Sequence, residues 1–341
     1  MSQPVLDRTV VEDDLVPSGS VRRRRLATAT TLIANSAVIV GFFAMVVFFG
    51  VSRPDTFLTS ATLQDLLNQA VIPVILACGI TITMSVGEFD LSFTSIVGLS
   101  AALVMVLMAN EGQPIAISIG AAIVAGVLAG AAVGLLVTFG SASSFIVTLA
   151  IGSVLAGLEI MLTDNTNIYT NVPTGFTAIA SNEFLGFKLP VWIGLTVVVV
   201  SATLLHGTTF GRHAYAIGSN AKAAFVAGVR VRRIRILSFV VLGTLAGLGA
   251  IMATAKASSY YPNISGGLLL STYAAVFLGA AMSKGNRFTI GGSTLGVLWL
   301  LTLQTGLTQL NQPTWVSTLV QGAVLLTAVL IAARNRGGRL A

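Results

Sequence analysis

Residues 115–138 read IAISIGAAIVAGVLAGAAVGLLVT, a run of 24 residues without a charged side chain. A membrane-spanning helix needs about 20 consecutive, mainly apolar residues. This run is long enough to cross a bilayer, and as a helix it satisfies its own backbone hydrogen bonds there. It therefore predicts a helix in a membrane, and it sets the expectation for the rest of the chain.

The composition extends this expectation to the whole sequence. Of the 341 residues, 55% are hydrophobic and only 9% are charged. A soluble domain carries about 25% charged residues, so this chain cannot cover a water-facing surface. The composition excludes a soluble enzyme, a nucleic-acid-binding domain and a disordered protein. The single cysteine, Cys78, excludes an internal disulfide and a cysteine-based metal site.

We predict an all-α polytopic membrane protein with about ten transmembrane helices and with both termini in the cytoplasm. The ten apolar segments are residues 30–51, 64–86, 91–109, 115–138, 144–163, 190–206, 234–254, 268–282, 289–308 and 315–333. Residues 1–29 are predicted to be a disordered cytoplasmic tail, residues 30–335 the transmembrane domain and residues 336–341 a second cytoplasmic tail. A regulatory role for the first tail is the alternative to plain disorder.

The positions of the basic residues support this count. Cytoplasmic loops of membrane proteins carry an excess of Lys and Arg. With the N-terminus inside, the outer segments hold only Arg53, Lys188 and Lys256, and the other 16 of the 19 Lys and Arg residues lie inside. A count wrong by one span would place a block of these residues outside. The net charge of +7 therefore indicates topology, with anionic lipid rather than nucleic acid as the neighbour.

Glycines recur at intervals of four residues in two of the segments. Gly126, Gly130 and Gly134 lie on one face of the fourth segment, and Gly243 and Gly247 lie on one face of the seventh. Small residues at this spacing let two helices approach closely. The pattern predicts close packing within one bundle or, alternatively, a seam between two copies.

Acidic residues interrupt the apolar pattern at two places, although a charge in a bilayer is costly. The stretch from Gly87 to Ser92 contains Glu88 and Asp90. We interpret it as a structural turn in which Asp90 caps the following helix; a polar lining or a break between two helices is the alternative. Glu159 is expected either to reach outward to the membrane surface or to face a cavity.

The inner loop, residues 207–233, is predicted to contain a short helix. Asn220 is expected to cap this helix, and Gly228 is expected to end it. A flat face made by Ala223, Ala224 and Gly228 would fit a groove on another protein. The alternative is a helix held on the lipid surface by the neighbouring arginines. The chain contains no G-x-x-x-x-G-K-[ST] motif, so it cannot hydrolyse ATP through a P-loop.

Three blocks of the sequence resemble one known family. They are GEFDLS at residues 87–92, SFIVTL at residues 144–149 and FGRHAYAIGSNAKAAFVAGV at residues 210–229. Together they resemble the membrane permease subunit of the ribose-type bacterial ABC sugar importers, and the resemblance covers about residues 60–335. The sequence departs from the family pattern at four positions: Glu88 and Phe89 in the first stretch, Thr94 just after it, and Ala227 in the third.

The resemblance implies a permease that is not itself an enzyme and that lies in the bacterial cytoplasmic (inner) membrane as a multi-pass protein. It implies a second permease copy or a sister subunit, a cytoplasmic ABC ATPase and an extracytoplasmic solute-binding protein that delivers a sugar. No cofactor is expected on this chain, because ATP and Mg²⁺ would bind to the ATPase. The loop that would couple to the ATPase contains Gly211, Arg212, Asn220, Ala223, Ala224 and Gly228.

Four polar residues are candidates to line a translocation path: Asn68, Gln69, Glu159 and Gln304. A stand-alone secondary transporter driven by an ion gradient is the alternative function. Such a transporter is expected to have paired carboxylates or broken helices at the membrane midplane, and here only Glu159 comes close to that description.

Overall fold

The computed structural model describes residues 38–140 and 142–337. The predicted N-terminal tail, residues 1–29, lies outside the described residues. Of the predicted C-terminal tail, only residues 336–337 are described, and they belong to the last helix. Side-chain exposure is described up to residue 327.

Within the described residues, seven helical segments are long and apolar enough to cross a membrane. They are α2 (Ser60–Val86), α3 (Phe93–Met105, continued by a π-helical turn Val106–Asn110), α4 (Ile115–Phe139), α5 (Ser144–Thr163), α7 (Leu189–Ala202, continued by a π-helical turn Thr203–Gly207), α10 (Val231–Ala257) and α12 (Ile290–Gln309). Three further apolar helices are α1 (Val38–Ser52), α11 (Leu268–Met282) and α13 (Thr314–Gly337). The described residues thus place a helix at each of the ten predicted segments, with most boundaries shifted by a few residues.

The remaining elements are short and connect these helices. Helix α6 (Thr174–Ser181) precedes a two-stranded hairpin, β1 (Glu183–Phe184) and β2 (Phe187–Lys188). Leu185 and Gly186 turn the hairpin with positive φ angles of 51° and 79°, as a tight two-residue hairpin loop requires. Helices α8 (Thr209–Ser219) and α9 (Ala221–Val226) lie in the loop between α7 and α10, and a 3₁₀ turn, Lys284–Asn286, follows α11.

Helix α2 lies at the centre of the bundle. It packs against α7, α10, α11 and α12, and 83% of its most apolar window is buried. A helix that is apolar all round belongs in such a position. In the most apolar 18-residue segments of α5 and α7, only 22% and 28% of the residues are buried. These two helices therefore present most of their side chains to the surroundings of the bundle.

The glycine pattern is explained by one contact inside the chain. A Cβ atom on Gly126 would collide with the carbonyl oxygen of Gly243, and a Cβ atom on Gly130 would collide with that of Phe239. The backbones of α4 and α10 therefore touch, which only glycine allows at these positions. The prediction of packing within one bundle is confirmed, and these glycine faces are not available for a seam between copies.

Candidate functional site

Helix α8 is seated tightly against the end of α7. A Cβ atom on Gly211 would overlap the carbonyl group of Leu205, so the first turn of α8 approaches the preceding π-helical turn as closely as its backbone permits. The ring of Tyr215 stacks on His206 at a centroid distance of 6.2 Å. Arg212 is exposed on the other side of the helix. The glycine in the F-G-R stretch is therefore required by packing.

Two contacts bind α8 to the membrane bundle. Tyr215 Oη donates a hydrogen bond of 2.6 Å to the carbonyl oxygen of Phe288 in the loop between α11 and α12. Gly218 rests on the last turn of α2, where a Cβ atom would collide with the carbonyl oxygen of Ser85. Because of these two contacts, a displacement of α8 would also displace the end of the central helix, α2.

Helix α9 begins and ends as expected from its sequence. The Asn220 side chain caps it by accepting a hydrogen bond of 3.0 Å from the Ala223 N–H. Gly228 follows the helix with a φ of +83°, the left-handed conformation that favours glycine. Both ends of this six-residue helix are thus fixed by the residues that the motif supplies.

The exposed face of α9 differs from the predicted one. Ala224 is buried against the bundle, whereas Ala223 and Gly228 are exposed. The large exposed side chains are those of Phe225 and Val226, which are 72% and 86% exposed. A predicted flat face that includes Ala224 is therefore wrong, because the helix turns that side toward α8. The surface it offers is an apolar tip.

The turn from Gly87 to Ser92 is held by helices on several sides. Gly87 adopts a φ of +93° and ends α2. The N–H of Phe89 donates to Ser144 Oγ at 3.3 Å, and the N–H of Leu91 donates to Thr148 Oγ1 at 3.1 Å. These hydroxyls belong to the SFIVTL block, so two of the sequence blocks meet in space at this turn.

Tyr273 of α11 and the carboxyl group of Asp90 complete the turn. Tyr273 Oη donates to the Asp90 carbonyl oxygen at 2.7 Å and accepts from the Asp90 N–H at 3.0 Å. Asp90 Oδ1 accepts from the N–H of Ser92 at 2.6 Å and from its hydroxyl at 2.5 Å. Burial raises the pKa of Asp90, and the hydrogen bonds from Ser92 offset part of this increase. The Asp90 carboxyl group thus provides a hydrogen-bond acceptor for the backbone N–H of Ser92, the residue that immediately precedes α3.

Glu88 faces the N-terminal end of α10. Its Oε1 lies 2.7 Å from Nε of Arg235. This contact is the one ion pair among the described side chains. The Arg235 Nε–H is not directed at a hydrogen-bond acceptor, so the contact is an ion pair without an aligned hydrogen bond. The glutamate that departs from the family pattern therefore has a partner of its own.

Glu159 is buried inside the bundle, and only 8% of it is exposed. Its Oε1 accepts a hydrogen bond of 2.8 Å from Tyr260 Oη, and its carboxylate packs directly on Gly98 of α3. Tyr260 is itself fixed by two backbone hydrogen bonds with Ile168, of 2.8 and 2.9 Å. The side chain does not reach outward to the membrane surface.

The other three candidates for a translocation path have partners other than Glu159 or are exposed. The Asn68 carbonyl oxygen accepts a hydrogen bond of 2.8 Å from Lys256 Nζ, Gln69 is exposed, and Gln304 Oε1 accepts from Gln321 Nε2 at 3.5 Å. No hydrogen bond within the described part of the chain joins any two of the four candidates. The structure does not bring them together into one polar site.

Sequence reasoning missed several residues that organise these contacts. The pattern of small residues indicates Ala223 and Ala224 as the contact surface and gives no indication of Phe225 and Val226. Tyr260 and Tyr273 gave no local signal, because each lies over 100 residues from the carboxylate-bearing residue it contacts. Arg235 was counted as a topology signal, although an unusual Glu88 near the membrane calls for a basic partner.

Comparisons with known proteins identify the family. Residues 62–329 match the family described as "Branched-chain amino acid transport system / permease component". The chain belongs to this family of permeases. It is similar to the L-arabinose ABC transporter permease of Azospirillum brasilense, with 34% identity over 91% of both chains.

Two further relatives support the same assignment. The ribose import permease of Bacillus subtilis is 35% identical over 86% of this chain and 90% of its own length. The autoinducer 2 import system permease of Photorhabdus luminescens is 30% identical over 89% of this chain and 92% of its own. The predicted resemblance to ribose-type importer permeases is confirmed, and the chain is a multi-pass permease subunit of the inner membrane. The comparisons give no support to a secondary transporter.

Proposed function

We propose that this permease translocates a sugar or a sugar-like solute that an extracytoplasmic binding protein delivers, and that a separate ABC ATPase drives it. The observation that carries this proposal is the α8–α9 segment: a capped helix with an exposed apolar tip, joined tightly to the bundle. An apolar tip of this kind fits a groove on a partner protein. Because the sequence contains no P-loop, we expect ATP and Mg²⁺ to bind to that partner.

The proposal includes a topology of ten spans with both termini in the cytoplasm. Among the described residues seven helices are long and apolar enough for a span, and in the proposal α1, α11 and α13 supply the other three. The basic residues of α9 and the start of α10 then lie inside, whereas the 183–188 hairpin and Tyr260 lie outside. This arrangement agrees with the excess of Lys and Arg expected in cytoplasmic loops.

The class of solute is inferred from the relatives. Their names specify L-arabinose, ribose and autoinducer 2, so related chains serve different small solutes. We expect this chain to carry a solute of that class and to work as a pair with a second copy or a sister permease. Specificity would then reside mainly in the binding protein, because Asn68, Gln69, Glu159 and Gln304 form no common polar site in one subunit.

Mechanical coupling follows from the contacts around α9. When the ATPase moves the apolar tip of α9, α8 moves with it, and the contact of Gly218 with Ser85 carries the movement to the end of α2. The neighbouring turn at residues 87–92 links this end to α5, α10 and α11. One entry point on the cytoplasmic side thus acts on most of the bundle.

The test is purification of the chain from native membranes in mild detergent, followed by identification of co-purifying proteins and by reconstitution in liposomes. We expect a P-loop ATPase to co-purify, and its ATP hydrolysis to be stimulated by the matching secreted binding protein loaded with sugar. A chain that purifies alone and moves solute under an ion gradient without ATP would overturn the proposal.

A further inference from the structure

An apolar groove of about 330 Å³ runs between α2, α7 and α12. This volume is at the lower end of the roughly 300–1,000 Å³ of small-molecule sites. Its walls include Leu67, Val71 and Val74 from α2, Val191 and Leu195 from α7, and Leu298 from α12. Leu195 is 51% exposed on a membrane-spanning helix, so the groove opens sideways toward the hydrocarbon of the bilayer.

The groove has no unused hydrogen-bond donor for a polar solute. Its one hydroxyl, on Thr294, already donates to the Ile290 carbonyl oxygen at 2.9 Å. The indole N–H of Trp192 already donates to the Phe184 carbonyl oxygen at 2.9 Å. A sugar would lose its hydrogen bonds to water here without replacement. A hydrocarbon chain has no hydrogen bonds to water that it could lose. The groove also lies at a depth where the surrounding medium consists of such chains.

One end of the groove carries the features of a membrane–water boundary. Phe187 and Trp192 lie in its wall, and their rings meet edge to face at 6.5 Å. Tryptophan is enriched at the level of the lipid head groups, so Trp192 marks this end of the groove. The hairpin that contains Phe187 is tied to α2 by a hydrogen bond of 3.1 Å from Gln64 Nε2 to the Gly186 carbonyl oxygen.

Two lysines flank this same end. Lys188 follows Phe187 directly, and Lys256 donates to the carbonyl oxygen of Asn68, next to Leu67. Both are half-buried. Glu183 is paired with Lys188 across the hairpin, but neither lysine forms an ion pair with a described residue. Two cations at the same end of the groove, neither with a carboxylate partner among the described residues, favour an anion.

We propose that this groove is a binding site for an anionic phospholipid, with one acyl chain between α2, α7 and α12 and the phosphate at Lys188 and Lys256. In the proposed topology the site faces the outer leaflet, where Lys188 and Lys256 are two of only three basic residues. The lipid would fill the gap between α7 and the two helices beside it and neutralise the lysine pair.

The experiment uses a phosphatidylglycerol probe with a photoreactive group near the end of one acyl chain, added to membranes that contain the complete permease. After illumination, labelled peptides are located by mass spectrometry. We expect labelling to concentrate on the groove-lining parts of α2, α7 and α12. A phosphatidylcholine probe of the same length is expected to label these peptides several-fold less, because its head group has no net charge.

Variants separate the charge from the groove. Each lysine contributes a factor of about five near an anionic lipid surface, so Lys188→Gln and Lys256→Gln should each lower the labelling about fivefold. Arg53→Gln, at the third basic residue of this end, lines no part of the groove and should leave the labelling unchanged. Leu195→Trp should block the groove, whereas Leu149→Trp on the exposed face of α5 should not.

Two results would overturn the proposal. One is labelling spread evenly around the bundle. The other is labelling of the groove that is equal for both lipids and insensitive to the two lysine variants. If Leu195→Trp prevents insertion of the chain, the lysine variants still decide, because they leave the apolar side chains that line the groove unchanged.

Discussion

Nε of Arg235 lies 2.7 Å from Oε1 of Glu88, which ties the first turns of α10 to the turn between α2 and α3. The two side chains are only 26% and 12% exposed. Because α10 follows α9 directly, this ion pair joins the segment that we propose to contact the ATPase to the centre of the bundle. The pair therefore links two segments that lie almost 150 residues apart in the sequence.

Loss of one member of this pair is expected to destabilise the bundle. Glu88→Ala should cost about 1–3 kcal/mol, between the value for an exposed pair and that for a buried one. The measurement is thermal unfolding in detergent. The exchanged pair, Glu88→Arg with Arg235→Glu, should recover part of the loss; if each single variant and the exchanged pair are equally stable, the ion pair contributes nothing.

The glycine contact between α4 and α10 predicts a position-specific effect of alanine. Gly126→Ala would push a methyl group into the backbone of Gly243 and should cost about 1–3 kcal/mol of stability, as overpacking does. Gly120→Ala, on the same helix with open space around it, is the matched control and should be neutral. Equal melting temperatures for the two variants would contradict the observed contact.

The apolar tip of α9 predicts a loss of coupling without a loss of folding. Phe225→Glu and Val226→Asp should abolish solute-stimulated ATP hydrolysis in the reconstituted importer, because each places a charge on the surface that would enter the partner. Lys222→Gln, an exposed change on the same helix, should retain the activity. Normal co-purification of the ATPase with both acidic variants would show that the tip is not the contact.

The capping of α9 predicts a local change in protection. Asn220→Ala should weaken the short helix by about 1 kcal/mol, because the Ala223 N–H loses its acceptor. Hydrogen exchange of residues 221–226 should then accelerate, while α8 remains protected. Asn220→Asp should keep the slow exchange; if Asn220→Ala keeps it too, the side chain is not needed for the helix.

The hydrogen bond from Tyr260 to Glu159 predicts a cost for leaving a buried carboxylate unpaired. Tyr260→Phe should reduce stability by about 1–3 kcal/mol, as measured by thermal unfolding. Replacing both groups, as Glu159→Leu with Tyr260→Phe, should restore part of the loss, because no polar group is then left unsatisfied. A double variant less stable than Tyr260→Phe alone would argue for another role of the carboxylate.

Local patterns predicted the helices well, because each apolar run and each cap depends on neighbouring residues. Each predicted apolar run coincides with a helix in the described residues, Gly87 and Asp90 marked the turn before α3, and Asn220 marked the start of α9. Contacts between distant segments could not be predicted in this way. Nothing near Glu159 in sequence indicates Tyr260, and the buried side of Ala224 depends on how α8 lies against the bundle.

The geometry of α10 has a mechanical consequence. It has 27 residues without a proline, which makes it about 40 Å long at 1.5 Å per residue. Arg235 anchors one end, the glycines of its middle part fit against α4, and Tyr260, just beyond the other end, is bonded to α5. A helix held in this way moves as a rigid body, so a tilt at the end near α9 also displaces Tyr260 at the other end. In the proposed topology α10 therefore joins the cytoplasmic end of the bundle to its outer end, and we expect a change at one end to be accompanied by a change at the other.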